Sequence, residues 1–271
     1  MKLSLNTATI KRASLAEAAR LCVANGIAGI GPWRDVVADA GGAEAARKLL
    51  DDHGLTVTSL CRGGFFTYPD GVDDTRRAIE EAAILGTTEL VLVVGGLHPN
   101  SKDLPAARRT VAGALATLAP DAAQHGVRLA IEPLHPMFCA DRAVVSTLAQ
   151  ALDLAEPFAP QEVGVVVDTY HVWWDPYVFE QIARAGDRIS IYQVCDWVVP
   201  LPADMLLGRG HVGDGHIDFG PLTEAVRDAG YDGWVEVEIF NQSIWDTPPE
   251  QTVATVKATW PQVAGSSGGR R

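Results

Sequence analysis

Cysteine is scarce and scattered. Cys22, Cys61, Cys139 and Cys195 stand far apart among 271 residues, with no CxxC pair. That excludes a disulfide framework or a thiolate zinc site as the organising device, and each reads as a small buried apolar residue. Basic residues are short as well, 22 against 34 acidic ones, for a formal charge of −12. A broad negative field disfavours phosphate backbones and anionic membranes. The doublets Arg76-Arg77, Arg108-Arg109 and Arg270-Arg271 are too short and too far apart to offset it. No nucleic-acid partner is expected. No apolar run approaches the roughly 20 residues that span a bilayer, so no membrane partner is expected either. The first residues, Lys2-Leu3-Ser4-Leu5-Asn6, enter apolar alternation directly, without a signal-peptide pattern. A cytoplasmic setting is the expectation. A homo-oligomer is compatible with the sequence but not fixed by it.

A Gly-rich phosphate turn is missing too. Asn6-Thr7-Ala8-Thr9 follows the first strand where a doubly wound dinucleotide fold would place its glycines. Gly208-Arg209-Gly210 and Gly213-Asp214-Gly215 lack the strand-then-helix context of such a loop.

What is present is ordinary globular composition, 47% hydrophobic and 21% charged, in which strand-like and helix-like segments alternate eight times. Strands are expected at 3–8, 27–33, 56–61, 89–95, 127–132, 163–168, 188–196 and 234–240. Helices are expected at 15–24, 44–53, 75–85, 104–125 with a bend near Pro120, 142–155, 176–185, 221–229 and 249–260. Ser14 and Glu17 form a capping box for the first helix, and Gly26, Gly54, Gly86 and Gly230 end their helices. Residues 63–69 and 198–218 read as irregular. This alternation predicts an α/β fold, a single (β/α)8 TIM barrel over residues 1–262, with a disordered C-terminal tail over 263–271.

Functional groups of such barrels sit where strands give way to loops at the C-terminal face. Glu132, Asp168, Gln193 and Glu238 each occupy that place on the last four strands. Asp168 follows three consecutive valines, and a carboxylate against such a core is costly unless paired or metal-bound. Glu236 competes with Glu238, since both lie on one face of the strand, but Glu238 is nearer its C-terminal end. Three carboxylates and one amide oxygen suggest one divalent cation, with Mn²⁺ preferred and Mg²⁺ or Co²⁺ acceptable. The site would then be near −1, suited to a neutral hydroxy-carbonyl compound. His171, just past its strand, is placed to hydrogen-bond a substrate hydroxyl. Arg209 offers a fixed cation for an anionic or polyol end, with His211 beside it. Trp33, Phe65, Phe66, Trp173, Trp174 and Trp197 are candidates to stack on a sugar.

At these residues the chain resembles the xylose-isomerase-like TIM barrels called sugar phosphate isomerases/epimerases, over nearly its whole length. The specific signals are Ile131-Glu132-Pro133-Leu134, Asp168-Thr169-Tyr170-His171, Gln193-Val194-Cys195-Asp196, and Gly208-Arg209-Gly210 leading into Gly213-Asp214-Gly215-His216-Ile217-Asp218. The resemblance implies that Glu132, Asp168, Gln193 and Glu238 bind the metal. It implies that Glu132 and Glu238 also move protons, while His171 and Arg209 bind substrate. Many members carry His at the third ligand position, where this chain has Gln193, as hydroxypyruvate isomerases do. Ketose epimerases tend to place Asn three residues after the first Glu; here that residue is His135. The expected function is metal-dependent isomerisation or epimerisation of a sugar or polyol ketone through an enediolate. The alternative is elimination from an inosose or 3-oxo-glycoside, with His135 and His171 protonating the leaving oxygen.

Overall fold

The computed structural model describes residues 1–98 and 100–264. In chain order the strands are β1 Lys2–Asn6, β2 Gly29–Gly31, β3 Thr56–Val57, β4 Leu60–Gly64, β5 Glu89–Val93, β6 Arg128–Ile131, β7 Val163–Asp168, β8 Ile189–Val194, β9 Asp196–Trp197, β10 Arg209–Gly210 and β11 Trp234–Val237. The helices are α1 Leu15–Ala24, α2 Arg34–Asp39, α3 Ala43–Asp52, α4 Gly71–Leu85, α5 Leu104–Gln124, α6 Leu148–Ala155, α7 Thr169–Val172, α8 Val178–Ala185, α9 Phe219–Asp228, α10 Gln242–Asp246 and α11 Pro249–Ala264.

Nine strands form one parallel sheet in the order β3-β2-β1-β11-β8-β7-β6-β5-β4. Its two end strands, β3 and β4, follow one another in the chain and make one interrupted stave, so the ring has the eight staves of a TIM barrel. Helices cover the outside because each strand must return to the same end before the next begins. The local signals act as read: Ser14 Oγ accepts from Glu17 N–H at the head of α1, and Gly86 ends α4 in the left-handed region at φ 76°.

Several boundaries depart from expectation. The first strand stops at Asn6, whose side chain caps a short 3₁₀ turn, Thr7–Ile10. Helix α2, absent from the sequence reading, is one short turn after β2. The third stave runs on to Gly64 instead of ending at Cys61. Its pairing with β5 goes from Cys61↔Val91 to Gly63↔Leu92, leaving Arg62 as an extra residue in a bulge. The expected helix from Arg142 starts only at Leu148. Thr147 Oγ1 caps Gln150 N–H, and the preceding segment bonds sideways instead, Val144 N–H to Gly95 O and Leu134 N–H to Val145 O. Helix α5 contains Pro120, and α11 extends past Trp260. Of the tail expected from 263, all beyond Ala264 lies outside the described residues.

The barrel interior sets the height of the site. Cys61, Val91, Ala130, Val166 and Ile191, one from each of β4 to β8, form a small buried layer. Side chains two residues further along a strand share its face. That rule puts Glu132, Asp168 and Gln193 inside the barrel, one layer nearer the C-terminal mouth.

Candidate active site

Glu236 lies deepest, wholly buried. Its Oε1 accepts from Asn6 Nδ2 at 2.8 Å and Gln193 Nε2 at 3.0 Å; its Oε2 accepts from Thr58 Oγ1 and Ser59 Oγ, both at 2.8 Å. Four neutral donors thus satisfy a buried carboxylate without a cation. Gly31 is required here, because a Cβ at that position would collide with the Glu236 carboxylate. The bond to Glu236 uses the Gln193 amide nitrogen and fixes which way the amide faces. Its oxygen, Oε1, is buried with no hydrogen-bond partner.

Above it sit Glu132, Asp168 and Glu238, all buried. Asp168 divides its carboxylate. Oδ1 accepts from Tyr170 N–H at the head of α7, while Oδ2 accepts from Arg209 Nη1 at 2.9 Å. Glu238 Oε1 accepts from Trp33 Nε1 at 3.2 Å, and its Oε2 from Arg209 Nη1 at 3.2 Å. Among the described residues, Glu132 Oε1 has no hydrogen-bond partner. Burial raises the Glu132 pKa well above the usual carboxylate range, reinforced by the charges of Glu238 and Asp168. Burial likewise pushes Glu238 up to about 7, with Arg209 pulling it back down.

Arg209 is 2% exposed and is the cation at the centre of this cluster. It arrives on β10, whose antiparallel pairing sets Arg209 opposite Trp197 and Gly210 opposite Asp196. Asp196 anchors the return: its carboxylate accepts from the backbone N–H groups of Trp197, Gly213, Gly215 and Ile217. The glycine-rich run is therefore a backbone clasp around a carboxylate.

Arg209 is incompletely satisfied. Its Nε is buried without a partner, and its Nη2 lies 3.0 Å from His171 Nε2. His171 Nδ1 already accepts from His135 N–H at 3.1 Å. Burial and the Arg209 charge push the His171 pKa well below its ordinary value, so the ring is neutral. A neutral imidazole has only one acceptor nitrogen, and two donors face it. Glu132, Asp168 and His171 nevertheless offer donor atoms within 4.8 Å of one another. Two orphaned oxygens and crowded buried carboxylates are what a divalent cation would relieve, and the donor set fits one.

These groups open into a cleft of about 450 Å³, including its mouth. Glu132, His171, Arg209 and Glu238 line it, with Trp33, Phe65, Leu206 and Phe240 as apolar walls. Asp168 and Gln193 lie behind that surface. The structure does not bring His135 or His211 to the cleft. The His135 ring packs 5.3 Å from Trp174 and 5.1 Å from Trp197, and its Nδ1 accepts from Met137 N–H. His211 follows β10 directly, ahead of the clasp amides of Gly213, Gly215 and Ile217, with Nδ1 buried and, among the described residues, unpartnered. Among the expected aromatics, Trp33 and Phe65 line the cleft. Phe66 joins the core, and Trp173 and Trp197 pack in the cluster around Tyr170. Sequence reasoning missed Phe240, Arg62 and Arg142 as lining residues.

Curated relatives include an inosose isomerase of Bacillus velezensis, 29% identical over 156 residues, covering 56% of this chain and 54% of the relative. A ketose 3-epimerase of Arthrobacter globiformis is 25% identical over 214 residues, covering 74% and 69%. The match thus spans about half the length of the inosose isomerase. Among solved structures, a protein of Sinorhizobium meliloti 1021 is 48% identical with a TM-score of 0.92, covering 96% of this chain and 98% of its own. The IolI protein with a bound zinc atom superposes with a TM-score of 0.84 at 22% identity, covering 97% and 98%. The family model described as xylose isomerase-like TIM barrel matches residues 19–260, so the chain belongs to that family.

Proposed function

We propose that this protein is a divalent-cation-dependent isomerase or epimerase of a polyhydroxy ketone. The observation that carries this reading is the pair of buried carboxylates, Glu132 and Glu238, facing one narrow cleft, with Glu132 Oε1 free of any hydrogen bond. The names of the curated relatives, inosose isomerase and ketose 3-epimerase, support the same class of reaction.

Glu132, Asp168, Gln193 and Glu238 would hold the cation, with His171 at the edge of the set. The oxygen-rich donors favour Mn²⁺, then Mg²⁺ or Co²⁺; the nearby His171 nitrogen and the zinc in the IolI structure make Zn²⁺ the competitor to test. When bound, the cation supplies positive charge to oxygens that become negative as the neighbouring C–H ionises. Glu132, ionised beside that charge, would take the proton with the carboxylate oxygen not engaged in holding the cation. Glu238 returns one to the enediolate on another carbon or face, and Trp33 Nε1–H holds its carboxylate in place. Such acid–base work contributes roughly 10²–10⁴-fold. Trp33, Phe65, Leu206 and Phe240 exclude water, which strengthens every charge interaction in the cleft.

The test is solvent exchange. Ketoses, inososes and 3-oxo-glucosides are incubated with Mn²⁺ in D₂O and followed by mass and NMR. Deuterium entering carbon at unchanged skeleton, and lost in Glu132→Gln, is the expected result. Loss of water or an aglycone would place the reaction among eliminations. No exchange and no turnover with any cation would overturn the proposal.

A further inference from the structure

The cleft also carries two cationic side chains that proton transfer leaves unused. Arg62 and Arg142 line it together with Glu132 and Glu238. Arg62 is the extra residue at the bulge between β4 and β5, a device that re-aims a side chain beside a site. Its guanidinium stacks 4.0 Å from the Phe65 ring centroid. It is half-buried, yet among the described residues it donates no hydrogen bond and forms no ion pair. Asp74, the carboxylate acting on it, is already taken by Arg34 at 2.8 Å and Arg77 at 3.1 Å. Arg142 lies on the irregular segment that refuses to become helix. Among the described residues its acidic partner is Asp141 at 3.8 Å, 66% exposed and beyond hydrogen-bond reach.

Other half-buried arginines find acceptors, Arg108 and Arg188 on backbone carbonyls. Arg34, Arg47, Arg76, Arg128 and Arg184 each reach a carboxylate within 2.8 Å. Deeper in the site, Arg209 and the proposed divalent cation would offset Glu132, Asp168 and Glu238, while the Glu236 carboxylate is met by four neutral donors. Arg62 and Arg142 are left over, and two guanidinium groups in a partly dry cleft are a receptor for an oxyanion.

We propose that the substrate is an anionic polyhydroxy ketone, whose carboxylate or phosphate end is held by Arg62 and Arg142 while its ketone end meets Glu132 and Glu238. This rests on the reading of the site given above and narrows it. It also replaces the neutral compound expected from sequence, an expectation formed without these two arginines in the site.

The experiment is calorimetric binding in the presence of Mn²⁺, comparing D-fructose, 5-keto-D-gluconate and D-fructose 6-phosphate. At least one of the two anions binds about 10- to 100-fold more tightly than fructose, as charge-assisted hydrogen bonds in a desolvated site imply. The tighter one identifies carboxylate or phosphate. Arg62→Gln and Arg142→Gln each lower the ratio of anion to fructose affinity, and the double variant brings that ratio to about one. Arg62→Lys, which keeps the charge and loses the fork, retains part of the preference and guards against misfolding of the Gln variants. Anions that bind no better than fructose to the wild type, or equally well to a folded double variant, overturn the proposal. Binding is read without turnover. Anion preference without deuterium exchange would sink the isomerase reading alone, and turnover of neutral ketoses without anion preference would sink this one alone.

Discussion

Replacing Arg209 by Met removes the one cation, among the described residues, that touches both Asp168 and Glu238 while keeping most of the side-chain volume. In metal-free protein this leaves Glu132, Asp168 and Glu238 buried together without a counter-charge. Breaking a buried ion pair from one side costs about 3–5 kcal/mol. For a chain of this size each kcal/mol lowers Tm by roughly 2 °C, so the variant in chelator should melt about 6–10 °C below wild type. The loss depends on pH, and its sign follows from Glu238. Its folded pKa is already raised to about 7, and Arg209, which pulls it down, is gone in the variant. The folded variant therefore binds more protons than its unfolded chain between about 4.5 and 7 or above. Its stability falls as pH rises through that window, and the deficit against wild type is larger at pH 8 than at pH 6. Saturating Mn²⁺, at about 100 times its Kd, restores roughly 2.7 kcal/mol. It should raise Tm more in the variant than in wild type, because it no longer competes with Arg209. Differential scanning calorimetry at both pH values, with chelator and with Mn²⁺, decides. A variant melting within about 2 °C of wild type in chelator at pH 8 would mean that Arg209 does not neutralise this cluster, and the charge argument would fail.

Glu132→Gln should leave the circular dichroism spectrum and melting cooperativity intact and lower turnover by at least about 10²-fold; near-wild-type turnover would remove Glu132 from proton transfer. Glu236→Gln replaces an acceptor of four hydrogen bonds with a group that must donate toward at least one donor, so Gln193 loses the partner that fixes its amide. Metal affinity measured by calorimetry should weaken about 10–100-fold, as for other groups that orient ligands, and unchanged affinity would show that Gln193 does not depend on Glu236. Gly31→Ala forces a Cβ into the Glu236 carboxylate and should cost about 1–3 kcal/mol by overpacking, read as a shifted denaturation midpoint; a neutral effect would mean the network relaxes freely.

Much of the barrel was legible because its signals are local. A β-branched run ending in a carboxylate, as at Val165-Val166-Val167-Asp168, announces both a buried strand and the place where burial stops. Period-2 alternation then puts Glu132, Asp168 and Gln193 on the face that turns inward. The departures came from tertiary competition. Arg142 to Thr147 has enough apolar character to read as the start of a helix, but Val144 and Val145 bond to Gly95 and Leu134, distant in sequence. Arg62 was hidden for a related reason, since the two glycines after Cys61 look like a loop yet pair with β5 through a bulge. Both errors fell on residues of the cleft, where the backbone is irregular because it must aim side chains inward. His135 and His211 failed differently. Their neighbours in sequence are cleft residues, but nothing local records which way a loop side chain turns.

The Asp196 clasp bears on how such a protein changes over time. The strand pair β9 and β10 together with four amide donors secures both ends of the excursion 198–208, so Arg209 is held from below and not by the loop that precedes it. Residues 199–207 can then be lengthened, shortened or replaced while the guanidinium keeps its station. Leu206 from that stretch already forms part of the wall. New ligands can thus be accommodated by rewriting one replaceable cassette, without rebuilding the charged centre beneath.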